Sequence, residues 1–267
     1  MTRARLDVVA TGLAAGAVAA VLAVLALAGT AAVAAGVFCV QVVIALAWLA
    51  AVDAKGSVGG FGIAVATAAA ADIVVGLETG PDIGRAAPVV GIALVLSLLH
   101  QLARRPRPGV TVSLAGTLSA IAFGVCAVAY VALPGERDGD HAVAAALFGA
   151  GAALAVARCV DLLLTRPPIF PGSRRGLLGV VLGAGAAVAV GASYGAATSG
   201  LGTSVGIRLA VIAALLALLA DIAVDAVLSQ APPRDERRLS ALTPLGVLLP
   251  VVLAGPVAYV AGRILLG

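Results

Sequence analysis

Charge is what this sequence has least of. Only 11% of its 267 residues are charged, against about 25% in an ordinary soluble domain. Too few ionic side chains are present to clothe a water-soluble surface, and 62% of the residues are hydrophobic. Long polar segments are missing as well, so no soluble domain fits between the apolar runs. Regular alternation of apolar and polar residues is also missing, which excludes the strands of a transmembrane barrel. Three cysteines, Cys39, Cys126 and Cys159, are scattered through apolar stretches without a C-x-x-C pair. They offer neither a zinc site nor a disulfide framework and read as small packing residues. The two histidines, His100 and His141, fall at opposite ends of their apolar runs and share no site.

What is present is apolar length. Runs of about 20 residues, enough helix to cross a bilayer, recur from one end of the chain to the other. The fold class expected is all-α, a polytopic transmembrane helical bundle forming a single integral membrane domain over 1–267. Breaks at charged residues, Pro and Gly divide it into nine spans, at 7–28, 30–52, 58–77, 86–103, 110–133, 141–165, 176–199, 205–229 and 241–265. The opening "MTRAR" followed by an Ala-rich apolar run resembles a signal peptide. A cleavable apolar region is only about 7–15 residues long, and this run is longer, so a retained anchor is expected.

Basic residues then orient the bundle. With a cytoplasmic N-terminus, the inner segments carry Arg3, Arg5, Lys55, Arg104, Arg105, Arg107, Arg166, Arg174, Arg175, Arg234, Arg237 and Arg238. The outer segments carry Arg85, Arg137 and Arg263, and the acidic "GERDGDH" (135–141) joins them. Twelve against three is the asymmetry of the positive-inside rule. The net charge of +4 therefore reports topology and gives no sign of nucleic-acid binding. A multi-pass protein of the cell membrane is expected.

Small-xxx-small pairs, Gly12/Gly16, Gly179/Gly183, Gly191/Gly195 and Gly202/Gly206, allow helices to approach closely. They indicate tight packing and no more, in a chain with 33 glycines.

Ionisable groups inside spans each need a partner or a purpose, because insertion costs about 2.5–3.5 kcal/mol for an Asp, Lys or Arg at mid-helix. Arg208 opens the eighth span and can snorkel to the interface. Arg158 and Asp161 lie three apart on one helix face and can pair with each other. Asp72 stands alone near the outer end of the third span, protonated or matched by a distant arginine. Asp221 and Asp225 share a face late in the eighth span, two turns and one turn from its inner end. Such a pair can hold a divalent cation such as Mg2+, or it can pair with arginines of nearby loops.

Nine spans, a basic loop between the sixth and seventh, an acidic segment late in the eighth and a final span ending "AGPVAYVAGRILL" (254–266) follow one another here. That layout resembles the bacterial phosphatidate cytidylyltransferases, the CDP-diacylglycerol synthases. "ADIAVDAVLSQ" (220–230) is similar to the family's G-D-L-x-E-S-x-x-K-R segment, with Asp221 at its aspartate and Asp225 one place late for its glutamate. "PGSRRGLLG" (171–179) is similar to the S-P-K-K-T-W-E-G loop, with Arg174 and Arg175 at the paired lysines and Leu177 and Leu178 in place of Trp-Glu.

That resemblance implies a membrane enzyme joining CTP to phosphatidic acid, with aspartates holding divalent metal at the cytoplasmic side. The departures imply otherwise. The H-G-G-x-x-D-R-x-D signature has no counterpart in "SALTPLGVLLPVVLAGPVAY" (240–259), and "FGAGAALAVARC" (148–159) lacks the acid of A-D-T-G-A-Y. Two-metal transfer needs several carboxylates against the phosphates.

The reading preferred is a catalytically degenerate relative that binds lipid or a partner protein, with Arg174 and Arg175 as candidate headgroup ligands. An active CTP-dependent transferase using Mg2+ and a small-solute or lipid transporter with Asp72, Asp161 and Asp221 as a relay stay open. Membrane lipids, anionic phospholipid among them, are the expected partners, and homo- or hetero-oligomers are compatible with the pattern. A reporter fused after Gly267 should be active only on the extracytoplasmic side. Cytoplasmic activity there would put the span count wrong by one.

Overall fold

The computed structural model describes residues 3–54, 56–77, 82–105, 109–164, 168–169, 175–230 and 236–267. A chain this apolar, placed where no water reaches its amides, must satisfy its backbone within each segment, and helices do so. The helices are α1 (Arg3–Leu27), α2 (Thr30–Ala51), α3 (Ser57–Gly76), α4 (Ala86–Ala103) and α5 (Val110–Ala132). They continue as α6 (Gly139–Leu163), α7 (Leu177–Ala197), α8 (Thr203–Gln230), α9 (Glu236–Leu253) and α10 (Gly255–Leu266). Among the described residues nine spans are long and apolar enough to cross a membrane, α9 and α10 together supplying the ninth, Leu242–Leu266. The all-α polytopic bundle read from the sequence is the fold observed. Its span ends shift by only a few residues, as where 86–103 becomes Ile83–Ala103.

Connections are short. Gly29, at φ 119°, lets the chain reverse between α1 and α2 in a conformation other residues rarely adopt. The helices sort into two groups. In one, α6 packs against α1, α7 and α8; in the other, α5 packs against α2, α3 and α4. The final span lies between the groups, touching α2, α5 and α8. Burial follows from this position: 13 of the 25 residues of the final span and 15 of the 25 of α6 are buried, but only four of 18 in α4 and five of 21 in α7. The first pair forms the centre and the second the periphery.

The two chain ends lie at opposite faces. Arg263 Nε on α10 stands 3.0 Å from Glu136 Oε1 in the turn between α5 and α6, so the C-terminus shares that face. Thr11 on α1 meets Arg158, near the other end of α6. An odd number of spans requires this arrangement.

Prolines shape the central span. Pro244 and Pro250 lie inside α9, and Pro256 opens α10 after a break at Ala254. Pro250 has no N–H to give the carbonyl four residues back, that of Gly246. Tyr130 of α5, fully buried, donates its hydroxyl to the Val251 carbonyl beside the break at 2.8 Å.

Glycines set the spacing elsewhere. A Cβ on Gly191 would stand 2.6 Å from the Gly206 carbonyl oxygen of α8, and one on Gly183 would stand 2.6 Å from the Ala153 carbonyl oxygen of α6. Gly185, on the same helix, has open space around its missing Cβ. Gly191→Val should therefore lower stability by about 1–3 kcal/mol through overpacking, and Gly185→Val should not. Thermal unfolding of the two variants in one detergent checks this, and equal melting temperatures would contradict the close α7–α8 approach.

Candidate functional site

Four charged side chains are buried together at the end of the bundle that holds the N-terminus. Arg158, Asp161, Arg175 and Asp221 are each at most 5% exposed. Arg158 and Asp161 come from the last turns of α6, Asp221 from α8, and Arg175 from the residues just before α7. They form an alternating chain, Arg158–Asp221–Arg175–Asp161.

Arg158 stands at one end of it and makes most of its contacts to other helices. One terminal nitrogen donates to Thr11 Oγ1 of α1 and the other to Asp221 Oδ1 of α8. That second nitrogen also donates to the Gly246 carbonyl at 3.0 Å, the acceptor that Pro250 leaves without its helical donor. One guanidinium thus joins α1, α6, α8 and α9. Arg175 Nη2 lies 3.1 Å from Asp221 Oδ1 and 3.0 Å from Oδ2, and Nη1 lies 3.7 Å from Asp161 Oδ2. Asp161 Oδ1 accepts from the backbone N–H of Gly176 at 2.9 Å.

Room for these groups comes from glycine. A Cβ on Gly12 would stand 2.6 Å from Arg158 Cβ, and one on Gly179 would collide with the Asp161 carboxylate. Each charge pays a desolvation penalty of several kcal/mol on leaving water, so the alternation of sign and the planar fork of Arg against carboxylate are what make the cluster tolerable.

The structure places the other singled-out residues as follows. Asp225 is half-buried one turn nearer the end of α8, with its charge acting on Arg158. Arg174 lies outside the described residues. Arg208 is exposed at the start of α8. Arg158 and Asp161 share a face as their spacing requires, yet Arg158 turns to Asp221 while Asp161 turns to Arg175 and Gly176.

Asp72 stands apart, near the opposite end of α3. It is 5% exposed, and its Oδ1 accepts from Gln41 Nε2 at 3.2 Å, an amide rather than an arginine. Thr11, the Gly246 carbonyl and Gln41 were not foreseen. Pro250 four residues after Gly246, and a glutamine inside the second apolar run, were the signals for two of them.

Mg2+, which the family resemblance implies, does not fit these residues. Both oxygens of Asp221 already take guanidinium donors, and Asp161 is taken by Arg175 and an amide. Two guanidiniums beside one carboxylate repel a further cation. Among the described residues no group of three or more His, Cys, Asp or Glu side chains converges. No protein-family model matches the chain, and no curated protein matches it.

Removing one member of such a cluster strands the others. Asp221→Ala should cost about 3–5 kcal/mol, the usual penalty for breaking a buried ion pair. Asp225→Ala should cost under about 1 kcal/mol, as a partly exposed pair does. Unfolding in detergent measures both, and a harmless Asp221→Ala would remove the cluster from the list of structural supports.

Proposed function

We propose that this chain is a multi-pass cell-membrane protein built on the layout of the phosphatidate cytidylyltransferases without their chemistry, serving to bind lipid or a partner protein. One observation carries the reading. Asp221, the residue aligned with the family's metal-binding aspartate, is 2% exposed and held by Arg158 and Arg175. A carboxylate engaged in this way is part of the bundle's internal support. The missing acids of "FGAGAALAVARC" and "SALTPLGVLLP" support the same reading from the sequence.

On this reading the N-terminal face is cytoplasmic and its basic residues meet anionic headgroups. Arg175 is spent inside the bundle, so the contact falls to residues such as Arg105, which is exposed beyond α4, and Arg174. Each basic residue near an anionic surface contributes about 1 kcal/mol, a roughly fivefold change in affinity.

The purified protein, given CTP, phosphatidic acid and Mg2+, should release no pyrophosphate. It should bind vesicles containing phosphatidic acid, and Arg105→Gln with Arg174→Gln should weaken that binding roughly 25-fold at low salt. Cytidylyl transfer abolished by Asp221→Ala would replace this proposal with an active transferase. Unchanged vesicle binding by the double variant would leave those arginines with a topological role only.

A further inference from the structure

A second buried acid lies in different surroundings. A cleft of about 570 Å³ opens between α2 and α3, toward the end of the bundle away from the N-terminus. Its volume falls within the range of about 300–1,000 Å³ usual for small-molecule sites. Ala31, Ala35, Phe38, Ala69 and Ile73 give it apolar walls, and Asp72 supplies its acid. Ala31, Ala35 and Ile73 are exposed, so the cleft faces outward between the two helices, where a membrane would place acyl chains.

The polar atoms around that acid do not balance. Gln41 Nε2 donates to Asp72 Oδ1 at 3.2 Å and to the Gly124 carbonyl at 3.0 Å, which uses both of its hydrogens. Asp72 Oδ2 and Gln41 Oε1, both buried, have no hydrogen-bond partner. No basic side chain pairs with Asp72 among the described residues. Asp72 and its neighbour Gln41 thus leave two open acceptors, one of them on the carboxyl group itself, that no donor among the described residues meets. Buried acceptors left unpaired are costly, and a buried carboxylate needs a positive partner.

We propose that this cleft binds the ammonium head of an amphiphile, with Asp72 as its counter-ion and the apolar chain lying along α2 and α3. A primary ammonium brings a positive charge and several N–H donors, which a hydroxyl head does not. The Asp72 position about one turn, some 6 Å, inside the end of α3 suits a head drawn slightly below the membrane interface. The ammonium belongs either to a bilayer lipid such as phosphatidylethanolamine or to a free long-chain amine.

The test uses the full chain in a non-ionic detergent, with dodecylamine as probe, dodecanol as its neutral counterpart and occupancy read by native mass spectrometry. The wild type should bind dodecylamine, and dodecanol much more weakly. Asp72→Asn, which keeps the acceptor for Gln41, should bind the amine roughly thirtyfold less tightly, as expected when a buried charge loses its counter-ion. Ala35→Trp should block the cleft without touching the Asp72–Gln41 contact, and it decides the matter if Asp72→Asn does not fold. Competition by phosphatidylethanolamine but not by phosphatidylcholine would make the ligand a lipid. Amine binding without such competition would make it a free amphiphile. Binding of the amine that neither variant changes, or dodecanol binding as tight as the amine, would overturn the proposal.

Discussion

A guanidinium buried in a membrane bundle has to find its partners inside the protein, and the two terminal nitrogens of Arg158 find theirs on three other helices. Its hydrogen bonds reach Thr11 on α1, Asp221 on α8 and the Gly246 carbonyl on α9, from a backbone on α6. Lipid tails are as apolar as leucine, so burying Leu or Val hardly drives these helices together. Polar contacts that cannot be made with lipid therefore carry an outsized share of the specificity. The position of α9 at the centre of the bundle follows in part from this contact. Pro250 leaves a carbonyl that only a donor from another element can satisfy, and α6 presents that donor.

Close approach is the second requirement, and glycine and alanine provide it. The same α7 stripe that meets Ala153 through Gly183 meets Gly206 through Gly191. One row of small residues thereby packs α7 first against α6 and then against α8. Gly12 and Gly179 apply this logic at the charged cluster, where the missing Cβ atoms leave space for Arg158 and Asp161. Charge burial and small-residue packing are linked: a larger residue at either position would push the ionic groups apart.

The spans were legible in the sequence because one term, the transfer of long apolar runs out of water, dominates everything else. Their count and helical character needed no knowledge of tertiary contacts. The choice of partners was not legible in the same way. Arg158 and Asp161, three residues apart, look like a pair, but a helix face shared by two charges says nothing of what other helices bring to it. Here α8 brings an acid and the residues before α7 bring an arginine, and both i,i+3 partners are better satisfied across helices than along one. Arg175 reads from sequence as a loop residue facing headgroups; only its placement before α7 shows that it turns inward. The sequence leaves Asp72 protonated or matched by a distant arginine, whereas Gln41, uncharged and set in an apolar run, is the group within reach.

The acids at the two ends of the bundle therefore differ in what they leave open. At the N-terminal end, two carboxylates face two guanidiniums, joined by the Gly176 amide, the Gly246 carbonyl and the Thr11 hydroxyl, and Arg158 Nε alone of that guanidinium's nitrogens has no hydrogen-bond partner. That network balances its charges and matches its acids, and such a network favours one packing of α1, α6, α8 and α9 over its competitors. At the other end, Asp72 and Gln41 hold each other in place but leave two acceptors unmet beside an outward-facing apolar cleft. Stability alone would favour replacing such a pair with leucine-sized residues, because nothing in the described chain compensates the open oxygens. The asymmetry separates structure from recognition within one fold: the acid that is fully matched supports the bundle, and the acid that is half matched faces the space where a donor from outside the chain would complete it.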